Sequence, residues 1–426
     1  MRGMRGEKNM RRKRVLRNSI TMKDIFKKAA VMVLSWEARR VLARTRPTIV
    51  AVTGTVGKTG TKDAIAAALA PFGSVQKSEK SYNSDIGVPL AILGLPNPWR
   101  NPFRWALILL RGFFAANKEG GFLVLEVGTD RPGDIRAITR WLTPDIVVVT
   151  RLARAPVHAE NFKSVGELIA EKGALVSALR KGGALILNAD DADVGAYRAL
   201  APQNTRIISF GYSEGAEVRA SEWGAKVAPP GALGKPPVYA GLAALAVAGI
   251  FGFSLKRAAG ALALRTLAPG RLRLLNGVRG SALIDDSYNS SPVATAEALR
   301  TLADFQTTGK KYAVLGDMLE LGDASEAEHR KAVEHAMAVA DLVFLVGERF
   351  NKSAQVLLNA KPPKVRVFPD ARAAGEVLER ELRAGDVALI KGSQGLRMER
   401  AVERALADPA RATELLVRQE REWLKR

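Results

Sequence analysis

From residue 47 onward, short apolar runs rich in β-branched side chains alternate with longer stretches of helical period. Residues 48–53, 122–127, 145–150, 184–188 and 206–210 read as strands. Each run is apolar almost throughout, which is the pattern of a strand covered on both faces. The helical stretches between them are long enough for crossovers, so a parallel sheet flanked by helices is predicted. Residues 62–70 read as a helix behind the first strand. A capping box, Ser164-x-x-Glu167, opens another helix over 165–180. Gly, Pro and Ala crowd residues 225–237, which read as a loop, and an alanine-rich helix follows over 240–251.

Leu267-Ala268-Pro269-Gly270 reads as a hinge. Beyond it a second alternating series (282–285, 312–315, 342–346, 365–368 and 387–390) predicts a separate α/β unit. The length agrees, because 426 residues exceed what one core normally organises. The organisation predicted is a basic N-terminal segment (1–46), a central domain (47–268) and a C-terminal domain (269–426).

Composition narrows this picture. There is no cysteine, which excludes disulfides, thiolate metal sites and a cysteine nucleophile. No apolar run reaches the ~18 residues of a membrane span, and the basic start lacks the apolar core of a secretory signal. The net charge is +22, and residues 1–46 hold 15 Lys/Arg against three acids (Glu7, Asp24, Glu37). Residues 22–42 could form a basic amphipathic helix with Ile25, Phe26, Ala29, Val33 and Trp36 toward one side. Two readings stay open: attachment to a membrane surface or nucleic acid, or a solvated tail plus a helix packed on the first domain. No aromatic residue interleaves Arg2–Arg17, so no specific nucleic-acid readout is expected. Residues 99–114 are basic and aromatic. An ordinary buried helix is the simpler expectation there, and contact with a membrane or lipid-linked substrate is the alternative.

The chemistry begins at Gly54-Thr55-Val56-Gly57-Lys58-Thr59-Gly60, between the first strand and the first helix. The glycines let backbone N–H groups point into a concave loop, and the helix N-terminus adds its positive dipole end. Lys58 can reach β- and γ-phosphates, and the Thr59 hydroxyl can bind Mg²⁺. Nucleotide binding follows. Val52 stands where the first glycine of the Walker A spacing would fall, which points away from typical GTPases. Glu126 ends the second strand candidate. It would stand beside the loop and hold Mg²⁺ if the two strands are neighbours, and would otherwise be a surface glutamate. His158, one of three histidines, follows the next strand and reads equally as ligand or structural residue. Glu171-Lys172-Gly173, on the capped helix, reads as a solvated charge pair. In the second half, Asp285-Asp286-Ser287-Tyr288-Asn289, Gly316-Asp317-Met318 and Lys391-Gly392-Ser393 each close a strand. They are expected to converge on one sheet edge facing the first domain.

Together and in this order, these motifs resemble the Mur ligases, ATP-dependent amide-forming enzymes of peptidoglycan precursor assembly. Further likeness lies in Tyr82-Asn83-Ser84-Asp85-Ile86-Gly87, Leu125-Glu126-Val127-Gly128, Val157-His158-Ala159-Glu160, Gly270-Arg271-Leu272 and Leu315-Gly316-Asp317-Met318. The resemblance covers about residues 47–407. It implies an α/β fold: a P-loop-type, mostly parallel central sheet domain followed by a Rossmann-like C-terminal domain. It implies ATP and Mg²⁺ as cofactors and a reaction through an acyl phosphate. The amine would be D-alanyl-D-alanine or similar, the acceptor a muramyl peptide, and the place the cytoplasm or the inner face of the membrane. By position, Lys58 would serve phosphates, and Thr59, Glu126, His158 and Lys172 would surround Mg²⁺, Lys172 as a carbamate. Asn289 and Arg271 would contact the nucleotide, and Asn83, Ser84, Asp317 and Lys391 the substrates. Two departures stand out. Only about 45 residues precede the ATP strand, where the family has a uridine-binding domain. Pro236, Pro237 and Ala240 stand where a His-Asn pair and a further Asn lie near adenine. A non-catalytic nucleotide-binding protein at the membrane, or a ligase on a folate-like or lipid-linked acceptor, remain the alternatives.

Overall fold

The computed structural model describes residues 22–79, 82–98, 101–115, 120–152, 159–358 and 364–424. Two sheets organise the described chain. The first contains β1 (Thr48–Thr53), β2 (Val75–Lys77), β3 (Phe122–Glu126), β4 (Ile146–Val149), β5 (Ala184–Asn188), β6 (Arg206–Gly211) and β7 (Val218–Arg219). Their spatial order is β2-β3-β1-β4-β5-β6-β7, with every pair parallel. The second contains β8 (Arg273–Asn276), β9 (Ala282–Asp286), β10 (Lys311–Gly316), β11 (Leu342–Val346), β12 (Val365–Phe368) and β13 (Val387–Lys391). It runs β12-β11-β10-β13-β9-β8, and only β8 is antiparallel. The α/β class and mostly parallel central sheet expected from the sequence are borne out.

The apolar runs follow from burial on both faces. Ile49 and Ala51 of β1 join one core cluster, while Val50 and Val52 join the other. Leu123 and Leu125 of β3 divide from Val124 in the same way. In the second sheet Ala313 and Leu315 face one layer, and Tyr312 and Val314 the opposite one. A period of two with both faces apolar leaves no alternation to see in the sequence.

Several boundaries differ from the sequence reading. The helix after β1 begins at Lys58, not residue 62, because Gly57 at φ 89° turns the chain directly into it. The next long helix begins at Pro236, where proline suits the first turn, and not at residue 240. The expected loop over 225–237 overlaps a short helix, Ala220–Val227. In the capping box, Ser164 Oγ accepts from Glu167 N at 3.1 Å, but Glu167 Oε2 takes the N–H of Lys163, not that of Ser164. Strands β2, β7 and β8 went unseen because two to four residues carry too little pattern.

The N-terminal helix, Met22–Thr45, buries Ala30, Leu34, Ala38 and Val41. Of the residues expected to share one side, Phe26, Ala29 and Trp36 are exposed and Val33 is half-buried, so that side is the solvent side. Helix Pro102–Phe113 buries Ile108 and Gly112 yet exposes Phe103, Leu107, Leu110 and Phe113, so it is not the ordinary buried helix expected.

Helix Pro236–Ile250 packs across Val227, where a methyl at Gly241 would lie 2.5 Å from Val227 Cβ and 3.0 Å from its carbonyl oxygen. Gly241→Ala is expected to cost about 1–3 kcal/mol. Gly260→Ala, where an added Cβ meets nothing within 4 Å, should be neutral or stabilising by up to ~1 kcal/mol. Urea transition midpoints check both, and equal midpoints would contradict the packing.

Candidate functional site

Because β1 lies between β3 and β4, the loop after β1 meets the ends of both neighbours. Gly54 sits at φ 142°, and a Cβ there would fall 2.1 Å from Thr150 Oγ1 and 3.1 Å from the Arg151 backbone. Thr150 Oγ1 donates to Val56 O at 2.7 Å, and Thr55 N donates to Arg151 O at 2.6 Å. The segment leaving β4 thus clamps the loop from behind. Lys58 Nζ curls over it to Gly54 O at 3.0 Å and Thr55 O at 3.2 Å.

Thr59 and Glu126 meet at the bottom of this cradle. Thr59 Oγ1 donates to Glu126 Oε2 at 2.8 Å, and Asn83 Nδ2 donates to Glu126 Oε1 at 3.0 Å. The register β1–β3 pairs Val52 with Glu126, which is why the carboxylate arrives there. Lys172 comes from helix Val165–Ser177 and lines the same cavity. Burial, then the nearby Lys58, lowers its pKa to about 7, with Asp130 and Glu171 opposing. Lys58 is lowered by enclosure too, Glu126 opposing. Lys172 is not the solvated residue that its helix spacing suggested. Its neighbour Glu171 is buried and accepts from Ile135 N and Arg136 N at 2.8 and 3.1 Å, holding the start of another helix.

The second sheet closes the cavity. Arg271 Nη2 reaches Thr59 Oγ1 at 3.3 Å, its guanidinium lying 4.0 Å over the Tyr288 ring. Its Nε is buried without a hydrogen-bond partner among the described residues. Arg151 and Glu297 approach to 4.0 Å across the same divide. Lys391 is buried, donating to Asp286 Oδ2 at 2.5 Å and Asn289 O at 2.9 Å. The register β13–β9 sets that pair directly opposite. Burial raises Asp285 to about 6. The cavity measures about 540 Å³ and is shared by both halves.

Of the residues singled out from sequence, Thr55, Val56, Gly57, Lys58, Thr59, Gly60, Asn83, Glu126, Lys172, Arg271, Asn289 and Lys391 line this cavity. Gly54 shapes the loop from behind. Ser84 and Asp317 lie off the lining: Ser84 Oγ accepts from Gly87 N at 3.2 Å, and Asp317 accepts from Arg349 N and Phe350 N at 3.0 and 2.8 Å. His158 lies outside the described residues. Among the described residues no group of three or more His, Cys, Asp or Glu could hold a metal.

Tyr239, which also lines the cavity, escaped the sequence reading. Lys62, off the lining and nearly inaccessible, donates to Ser78 O at 2.5 Å. Beside Pro236 and Pro237, Tyr239 donates to Asp190 Oδ2 at 2.7 Å, and Asp190 accepts from Tyr212 N at 2.6 Å. Burial and that bond raise the Tyr239 phenol pKa. Only the aspartates at the end of β5 signalled this group in the sequence.

Residues 52–229 match the Mur ligase middle domain, and residues 270–394 match the Mur ligase, glutamate ligase domain. The UDP-N-acetylmuramoyl-tripeptide–D-alanyl-D-alanine ligase of Bacillus subtilis (strain 168) is 28% identical over 376 residues, spanning 85% of this chain and 76% of the relative. The Mycobacterium bovis enzyme of that name is 30% identical over 402 residues, 85% and 73% of the two chains. The crystal structure of MurF ligase from Thermotoga maritima in complex with ADP superposes with TM-score 0.70 at 24% identity, covering 88% of this chain and 83% of that one.

Gly54→Ala brings strain of about 1–3 kcal/mol, so affinity for a non-hydrolysable ATP analogue should fall roughly tenfold to a hundredfold with the circular dichroism unchanged. Calorimetric affinity equal to wild type would remove the loop from the binding site.

Proposed function

This chain belongs to the Mur ligase family, and we propose that it joins D-alanyl-D-alanine, or an amine like it, to a muramyl-peptide acceptor in peptidoglycan synthesis. As a family member it is an ATP-dependent ligase. The observation that supports the assignment best is the meeting of Lys58, Thr59, Glu126, Lys172 and Arg271 around one cavity shared by two sheets. Relatives named for this reaction, over most of both chains, support the substrates.

In this reading the acceptor carboxylate attacks the γ-phosphorus of ATP, the bond to ADP breaks, and an acyl phosphate forms. The amine then attacks the acyl carbon, loses a proton and releases phosphate. Both steps move negative charge among oxygens, so positioning and charge compensation matter more than covalent help. Lys58 and the loop N–H groups would hold the β- and γ-phosphates. Arg271, with its inward Nε, would meet the nucleotide from the second half, beside Asn289. Lys391 would lie near the incoming amine, and Asn83 near the acceptor.

The oxygens of Thr59 and Glu126 fit magnesium, a hard cation. Lys172 fits only as an anion. Its lowered pKa leaves a neutral amine, which can attack carbon dioxide, lose a proton to water and become a carbamate. We assign Thr59, Glu126, His158 and carbamylated Lys172 to the ion, which when bound offsets charge on the phosphates. We place the reaction in the cytoplasm, with the enzyme held at the inner face of the membrane through its N-terminal region.

Lys58→Ala should lower turnover by ~10²–10³, measured as amine-dependent phosphate release from ATP. Near-wild-type activity would refute its role, and mass detection of the joined muramyl peptide tests the substrates. Protein equilibrated with ¹³C-bicarbonate should show a carbamate carbonyl resonance that is absent from Lys172→Met. Because the Lys172 pKa is depressed, the neutral amine, and with it the signal, should grow as pH rises through about 7. No such resonance at any pH from about 6 to 9 would leave Lys172 an uncarbamylated amine and remove it from the ion.

A further inference from the structure

Helices Met22–Thr45 and Pro102–Phe113 run side by side. Phe26 meets Trp105 at one end (5.8 Å between ring centroids), and Trp36 stacks on Phe113 at the other (6.3 Å). Phe103, Leu107, Leu110 and Phe114 fall at i, i+4, i+7 and i+11, the spacing of one helical stripe. That stripe points to solvent: Phe103 is 85% exposed, Leu110 59% and Phe114 71%. Met32 and Trp36 continue it on the neighbouring helix, 68% and 52% exposed. Of 13 large exposed hydrophobics among the described residues, eight belong to these two helices or to Phe114 just beyond. Such concentration is not the scatter of an ordinary surface.

The charges on these helices are mostly of one sign. They hold eight Lys/Arg against Asp24 and Glu37, and Glu37 is buried beneath Gly112. Two of the cations are paired with other elements, Lys27 with Asp85 and Arg104 with Glu422, each at 2.9 Å; Lys28 and Arg39 are exposed. Arg40 lies 5.5 Å over the Trp36 ring and 4.6 Å over Phe113, so the cation lies beside the apolar strip. Residues 1–21 add eight Lys/Arg and one acid in sequence. No described helix is long and apolar enough to cross a membrane. An apolar stripe with a cationic rim on helices that cannot span matches an anionic bilayer surface: rings enter the acyl boundary while Lys and Arg heads stay with phosphates.

We propose that this two-helix face docks the protein peripherally on anionic phospholipid, with Phe103, Leu110, Phe114, Met32 and Trp36 inserting and Lys28 and Arg39 pairing with headgroups. The inference rests on the membrane attachment proposed above but not on the ligase chemistry.

The full chain is sedimented with phosphatidylcholine vesicles with or without phosphatidylglycerol, and ATP turnover is read in the same samples. Wild type should bind the phosphatidylglycerol vesicles. Raising salt from 0.1 to 1 M shortens the screening length from ~10 to ~3 Å and should weaken binding. Phe103→Ser/Leu110→Ser/Phe114→Ser should reduce binding about tenfold or more with turnover unchanged, and Lys28→Glu/Arg39→Glu should do so for the anionic vesicles. Equal binding by wild type and both variants, or no binding to either vesicle, would overturn the proposal. Self-association of wild type that the triple substitution abolishes, without vesicle binding, would assign the face to a second copy instead. Loss of turnover with vesicle binding intact would touch only the ligase assignment.

Discussion

Thr59 and Glu126 are 67 positions apart, yet their side chains share a hydrogen bond. That bond exists because β1 lies between β3 and β4, in a register that sets Val52 beside Glu126. A register slip of one residue would turn the carboxylate to the other face and leave a charge in an apolar layer. The alternating burial of Ile49, Val50, Ala51 and Val52 in two separate clusters resists such a slip. The core therefore positions the chemistry. The strands are apolar to their last turn, and their polar ends can then gather only at one edge. Thr150 and the Arg151 carbonyl clamp the loop from β4, so the cradle is held by both neighbours of β1.

Three cations, Lys58, Lys172 and Arg271, line the cavity with Glu126, and suit a ligand of several negative charges; Asp286 is paired with Lys391, and Glu297 approaches Arg151. Burial depresses the protonation of both Lys58 and Lys172; Arg271 adds to this at Lys58, and Lys58 adds to it at Lys172. A polyphosphate reverses the balance, since each phosphate oxygen stabilises the cations that burial destabilises. Arg271 links the halves: it stacks on Tyr288 of its own half and reaches Thr59 of the other. Arg151 and Glu297 approach across the same divide.

Much of this was legible in the sequence. The long apolar strands, the glycine loop and its lysine-threonine pair required only pattern, because burial and backbone geometry allow few residue types there. The gathering of Asp286, Asn289 and Lys391 was legible as polar residues closing adjacent apolar runs. What escaped has a physical cause in each case. Lys172 sits on a helix whose spacing cannot say whether a lysine meets water or a cavity. Only the resemblance singled it out. Helices beginning at Lys58 and Pro236 were placed four residues late, because glycine and proline at a first turn look like loop. The outward stripe of helix Pro102–Phe113 was mistaken for a core face, since apolar period reports that a face exists and not what covers it.

The end of the cleft at Pro236 and Pro237 shows how far resemblance carries. Pro236, Pro237 and Ala240 remove the side-chain amide and imidazole that the resemblance led one to expect. The structure supplies other polar atoms one turn away. Asp190 accepts from Tyr212 N, Ser213 N and the Tyr239 hydroxyl, and the two tyrosine rings stand 5.1 Å apart. Lys235 lies over Tyr212 at 4.8 Å. Aromatic faces and a fixed carboxylate suit a flat heterocycle as well as amide groups do, because stacking needs area and rigidity more than a particular donor. The loop around Lys58 and Thr59 is read from glycine backbone and charge, which allow few residue types. Around Tyr239 no such restriction applies, which is why the loop motif was recognisable and this group was not.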